Sequence, residues 1–89
     1  DSSWLVDGMY PVDEFKDTFA IKELPDEDDA SYQTVGGMIM SMLGRVPSTG
    51  NKVRVGDYKI EVIDMDGRRV DKVLVMREAD EDGGERVRG

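Results

Sequence analysis

The segment YKIEVIDMDGRRVDKVLVMRE, from Tyr58 to Glu78, constrains the fold more than any other part of the chain. Tyr58, Ile60 and Val62 alternate with Lys59, Glu61 and Ile63, which is the period of a half-buried strand. The stretch from Val70 to Met76 is apolar on both faces around Val73, Leu74, Val75 and Met76, as expected for a strand inside a sheet with cover on both sides. Asp66 and Gly67 between them both tolerate positive φ, so the segment reads as an antiparallel hairpin closed by a two-residue primed turn. That turn places Asp64 opposite Arg69 and Glu61 opposite Lys72, two opposite-charge pairs in one register. Each exposed pair is worth about 0.2–1 kcal/mol, so the pairs speak for alignment rather than stability.

The rest of the chain supplies partners for this hairpin. Ser3 to Tyr10 begins with an apolar run interrupted by Asp7-Gly8, a short strand ending in a turn. Pro11 suits the first position of a helix, where its missing N–H has no intrahelical partner. Asp13 and Glu14 then favour the positive end of the helix dipole, and Val12, Phe15 and Phe19 recur at helical spacing. Ala20 to Tyr32 has no period, contains Pro25 and the acidic run Asp26, Glu27, Asp28 and Asp29, and reads as a solvated loop. Val35, Met38, Ile39, Met42, Leu43 and Val46 form one apolar helical stripe behind Thr34, a natural N-cap, with Gly44 and Pro47 marking its end. Gly36 and Gly37 lower helix propensity in its first turn, which implies that another backbone passes close by. Ser48 to Asn51 is turn chemistry, and Lys52 to Gly56 a short strand. From Glu78 the sequence is charged, glycine-rich and aperiodic. The expected architecture is α+β, a small antiparallel sheet of three to four strands with two helices packed on it. Residues 1–78 form one domain and residues 79–89 a charged tail.

Composition limits the chemistry. A chain of 89 residues hides too little of its surface to enclose a deep active site, so shallow sites and surfaces are favoured. The formal net charge of -8 repels nucleic-acid phosphates and anionic lipid headgroups, which argues against nucleic acid and against direct membrane insertion as partners. Without Cys there is neither a disulfide framework nor a thiol nucleophile, and without His the commonest general base and zinc ligand are missing. No run reaches the length of a membrane span, and the first residue is Asp1, so the chain is expected to be a piece of something longer.

Several motifs have two readings. The run Asp26, Glu27, Asp28 and Asp29 offers oxygen ligands to a hard cation, although consecutive loop residues converge poorly on one ion and a solvated loop is the plainer account. Asp64-x-Asp66-Gly67 matches the start of a calcium loop but lacks the later glutamate and lies between strands. Gly44 to Lys52 is no phosphate loop, because its glycines are too far apart and it runs from helix to strand. Met38, Met40 and Met42 could form a soft site or an adaptable groove, but two of them lie on the apolar stripe and fill the core. Trp4 and Tyr10, beside a turn, either anchor a partner or cover the end of the core. Of the two arginines, Asp64 accounts for Arg69 and leaves Arg68 for a phosphate or carboxylate. Trp4, Tyr10 and Arg68 are therefore the candidate interaction surface.

Five pieces in order resemble the CorC/HlyC transporter-associated domain: Leu5-Val6-Asp7-Gly8, Thr34-Val35-Gly36-Gly37, Gly44-Arg45-Val46-Pro47, Gly56-Asp57 and Met65-Asp66-Gly67-Arg68-Arg69-Val70. The resemblance spans Ser2 to Met76; Ser2-Ser3 departs from the usual Asp-Gly opening. It implies a cytoplasmic module on the inner membrane of a bacterium, at the C-terminal end of membrane proteins related to magnesium and cobalt efflux proteins and hemolysins. The implied partners are the preceding CBS and transmembrane domains, with a second copy of the chain as a further candidate. The family's fold is similar to part of a flavin-binding fold, but no dinucleotide fingerprint is present and no cofactor is expected. No catalytic residue is associated with the family, so a non-catalytic regulator of ion transport is the first expectation. A small-ligand or divalent-cation sensor using the acidic loop is the alternative.

Overall fold

The computed structural model describes residues 3–24 and 32–77. The elements run β1 (Ser3–Asp7), α1 (Val12–Phe19), α2 (Val35–Leu43), β2 (Lys52–Val55), β3 (Tyr58–Asp66) and β4 (Arg69–Arg77). The four strands form one antiparallel sheet in the order β1-β4-β3-β2. This is the expected α+β architecture. The acidic run Asp26 to Asp29 and the tail 79–89 lie outside the described residues.

Cross-strand partners share a face, so the register identifies the core. Val6 faces Val73, which faces Val62; Ile60 faces Val75. All of these are buried, and Phe15, Phe19, Val35, Met38 and Ile39 of the helices pack against them. Both helices therefore cover one face. On the other face Leu74 and Met76 are only half-buried and Leu5 is exposed, which corrects the expectation that β4 is covered on both sides. Leu74 lies between Leu5 and Glu61, and Met76 between Ser3 and Lys59. Long neighbouring side chains shield such positions without a second layer.

The hairpin's register also differs from the expected one. Asp66 pairs with Arg69, so the turn residues are Gly67 and Arg68 rather than Asp66 and Gly67. Gly67 has φ 64, whereas Arg68 is not among the positive-φ residues, which is the pattern of a type II′ turn with glycine at its first central position. Arg69 consequently meets Asp66 at 3.5 Å, and Asp64 faces Lys72 instead of Arg69. Between Val62 and Met65 the pairing shifts twice, leaving Ile63 and Asp71 without direct opposites. This irregularity changes the phase of the side chains, so that Val70 and Val73 are both buried although they stand three positions apart, an odd offset that puts residues of a regular strand on opposite faces.

Helix α2 is capped as expected at both ends. The Thr34 hydroxyl accepts from the Gly37 N–H at 3.1 Å, and Gly44 closes the helix at φ 72. Helix α1 begins one residue later than expected. Pro11 has ψ 138, outside the helical range, and stands at the N-cap rather than in the first turn. Leu24 is a second correction, because it is buried although its neighbourhood reads as a solvated loop.

Candidate functional site

The entries of the two helices are stitched to each other and to β1. Val12 N–H donates to the Gln33 carbonyl, Val35 N–H to that of Tyr10, and Gly36 N–H to that of Gly8 at 2.8 Å. Gly8 N–H in turn donates to the Asp71 carbonyl at the sheet irregularity. A Cβ on Gly8 would collide with the Val70 carbonyl, and one on Gly36 would stand 3.0 Å from the Gly8 oxygen and 3.2 Å from the Val70 Cβ. The expected close backbone is thus that of Gly8. This junction brings together three separate glycine-bearing stretches of the sequence. It also engages the first three N–H groups of α2, which are the donors a bound phosphate would need.

Among the described residues, three shallow clefts border the core. The first, about 190 Å³, lies over the glycine junction and is lined mainly by apolar atoms of Met9, Met40 and Val70, with Arg69 beside them. The second, about 220 Å³, runs along β1 and is walled by Trp4, Val6, Tyr10, Thr18 and Phe19. The third, about 310 Å³, opens between the end of α1 and the β2–β3 turn, where Lys22 and Arg77 face Glu23 and Asp57. Its charges are balanced, two of each sign, so the site selects no one charge class of ligand.

Phe19 is the hub of an aromatic cluster between the last two clefts. Its ring lies 5.1 Å from Trp4 and 5.1 Å from Tyr58, both edge-on, and 4.9 Å from Phe15. Trp4 therefore covers the end of the core through one edge while 39% of its surface stays exposed. Tyr10 is half-buried, and its hydroxyl shares a 3.0 Å hydrogen bond with that of Thr18. The structure brings Trp4 and Tyr10 together in the β1 cleft. It places Arg68 apart from them, exposed at the tip of the β3–β4 hairpin, and of the two hairpin arginines it is Arg69 that borders a cleft. Sequence reasoning missed Arg69 because it assigned that side chain to Asp64 through a register the turn does not adopt. Among the described residues, no three His, Cys, Asp or Glu side chains cluster in a way that could hold a metal ion.

Comparison with known proteins decides the family. The model for the CorC/HlyC transporter-associated domain matches residues 1–79. The chain belongs to this family. A domain of the family from Haemophilus ducreyi shares the fold with a TM-score of 0.77 at 32% identity, over 86% of this chain and 89% of that one. A transporter-associated domain from a Xylella fastidiosa hemolysin, solved in complex with Mg²⁺ and Mn²⁺, has a TM-score of 0.73 at 33% identity, over 84% and 86%. In sequence, the domain is 45% identical over 75 residues to a UPF0053 protein of Synechocystis, covering 84% of this chain and 17% of that protein. It is 40% identical over 77 residues to the polyamine export protein of Salmonella typhimurium, covering 86% and 17%. The domain thus spans about 17% of the length of the curated relatives it matches. None of its described helices is long and apolar enough to cross a membrane.

Proposed function

We propose that this domain is a non-catalytic regulator within a longer bacterial membrane transporter, held on the cytoplasmic side of the inner membrane beside CBS and transmembrane portions. It acts by making contacts that differ between transport states. The observation that carries the reading is the match over residues 1–79 to a transporter-associated family, together with relatives named as export proteins of which the domain is a small part. A sequence with no His and no Cys has few groups for catalysis, and shallow apolar clefts suit contacts with neighbouring domains. The Salmonella relative makes a polyamine the first cargo to assay, ahead of Mg²⁺ and Co²⁺. The contact residues in this proposal are Trp4 and Tyr10 in the β1 cleft and, separately, Arg68 at the hairpin tip. Hydrogen exchange on the full-length parent, with and without cargo, should change protection in the backbone around these residues. Unchanged exchange throughout the domain would refute contact-mediated regulation.

The Xylella domain's complex with Mg²⁺ and Mn²⁺ favours a second reading, divalent-cation sensing through Asp26 to Asp29. Calorimetric titration of the chain with Mg²⁺, Mn²⁺ and Co²⁺ tests it. Saturable heat that disappears when all four acids become Asn or Gln would put sensing ahead of regulation by contact alone.

A further inference from the structure

We infer that β1 is a self-association edge, through which two copies of the chain join antiparallel about a two-fold axis at Leu5. The sheet has two outer strands, and they differ in what they offer. Lys52 and Arg54 are exposed along β2, and charges of one sign guard an edge against a second copy. Strand β1 reads Ser3-Trp4-Leu5-Val6-Asp7, with a single charge at one end. Two of the four exposed large hydrophobic residues among the described residues are here, Leu5 at 61% and Trp4 at 39% exposure.

Backbone geometry sets the register. Gly8 N–H donates to Asp71 O, so alternate residues Val6 and Trp4 turn their N–H and C=O toward β4. Ser3, Leu5 and Asp7 turn theirs outward. The Asp7 carbonyl already accepts from Tyr10 N–H at 3.0 Å, which leaves the outward donors and the Ser3 and Leu5 carbonyls for pairing. A second β1 laid antiparallel places Leu5 opposite Leu5, with two reciprocal hydrogen bonds. At each end the Asp7 N–H meets a Ser3 carbonyl, and Trp4 stands over Val6 at the cleft. Because Asp7 faces Ser3, the seam contains no like-charge pair, so the strand is its own complement in charge as well as pattern. Leu5 also extends the half-buried Leu74 and Met76 into an apolar strip that continues across the axis. Each copy carries a net charge of -8, so association must strengthen as salt screens the repulsion. Binding to a cationic partner would weaken instead.

The inference is independent of the regulatory reading and can fail without it. Sedimentation of the chain at low and high salt measures the association, and the sole tryptophan, Trp4, reports it by fluorescence on dilution. Ser3→Asp creates two like-charge pairs with Asp7 and should weaken the dimer roughly two- to thirty-fold, while Ser3→Lys should tighten it by a similar factor. Leu5→Lys should leave a folded monomer, because Leu5 is exposed before association. The inference is overturned by a chain that stays monomeric at about 1 mM in high salt. It is equally overturned by a dimer on which the two Ser3 substitutions act in the same direction or not at all.

Discussion

Gly8 and Gly36 meet beside Val70, and two opposing effects decide what a methyl group does at Gly36. Alanine within a helix gains about 1 kcal/mol over glycine. Its Cβ would press on the Gly8 carbonyl and on the branched carbon of Val70, both fixed by the sheet. Overpacking of this kind costs about 1–3 kcal/mol. Gly36→Ala should therefore lower the urea midpoint despite its better helix propensity, and Gly8→Ala should lower it further, with a loss of unfolding free energy above about 2 kcal/mol. An unchanged midpoint for either would mean that the junction yields. Gly67 presents a different problem, because nothing crowds it and φ 64 alone demands glycine. Gly67→Val should cost more than about 1 kcal/mol, and a Gly67→Asn variant, which tolerates positive φ, should recover part of the loss. Equal midpoints for glycine and valine would show a turn of another kind. The need for a close backbone at Gly36 was legible from its place in a helical turn, but the identity of that backbone was not. Gly8 lies 28 positions earlier in the sequence, beyond any local pattern.

At the scale of elements, α2 was the most legible part, because an apolar stripe, a Thr cap and a Gly stop all lie within the segment they describe. Thr34→Ala should cost about 1 kcal/mol, seen as a lower melting temperature with the fold retained. The hairpin shows why strands were read less well. Alternation revealed both strands, but charge matching chose a register in which Asp64 meets Arg69, whereas glycine's conformation set the turn at Gly67 and Arg68. A turn that requires positive φ at one residue outweighs exposed pairs worth a few tenths of a kilocalorie. A double-mutant cycle on Asp66 and Arg69 should accordingly give a coupling below about 0.5 kcal/mol that shrinks with salt, since both side chains are mostly exposed. A larger, salt-insensitive coupling would mean that the ion pair helps to hold the turn. The apolar run Val73 to Met76 suggests cover on two faces, but only Val73 and Val75 meet the helices, while Leu74 and Met76 stay half-buried on the other face. The change of phase between Val70 and Val73 has no signature in the sequence, because it arises from irregular pairing with β3.

At the scale of the molecule, the order β1-β4-β3-β2 places the first strand beside the last, a non-local pairing that composition and periodicity could not reveal. The family was legible nonetheless, because its motifs are the turns and close approaches that the fold requires. Nothing local in the sequence told that Trp4 and Tyr10 would line one cleft, or that Arg68 would stand at a hairpin tip apart from it. A domain that regulates by contact can bias its neighbours only by the difference in contact energy between their states, typically about 1–3 kcal/mol. Removing it from the parent should therefore shift apparent transport activity or cargo sensitivity roughly five- to 150-fold and leave a competent membrane portion. The decisive measurement is cargo flux, of a polyamine and of Mg²⁺, into vesicles holding the intact parent, a parent truncated before Trp4, and an Arg68→Glu variant. Regulation by contact requires a shifted but surviving flux on truncation and a smaller shift of the same sign for Arg68→Glu. Flux lost entirely in a well-inserted truncated protein, or unchanged at every cargo concentration, would contradict it.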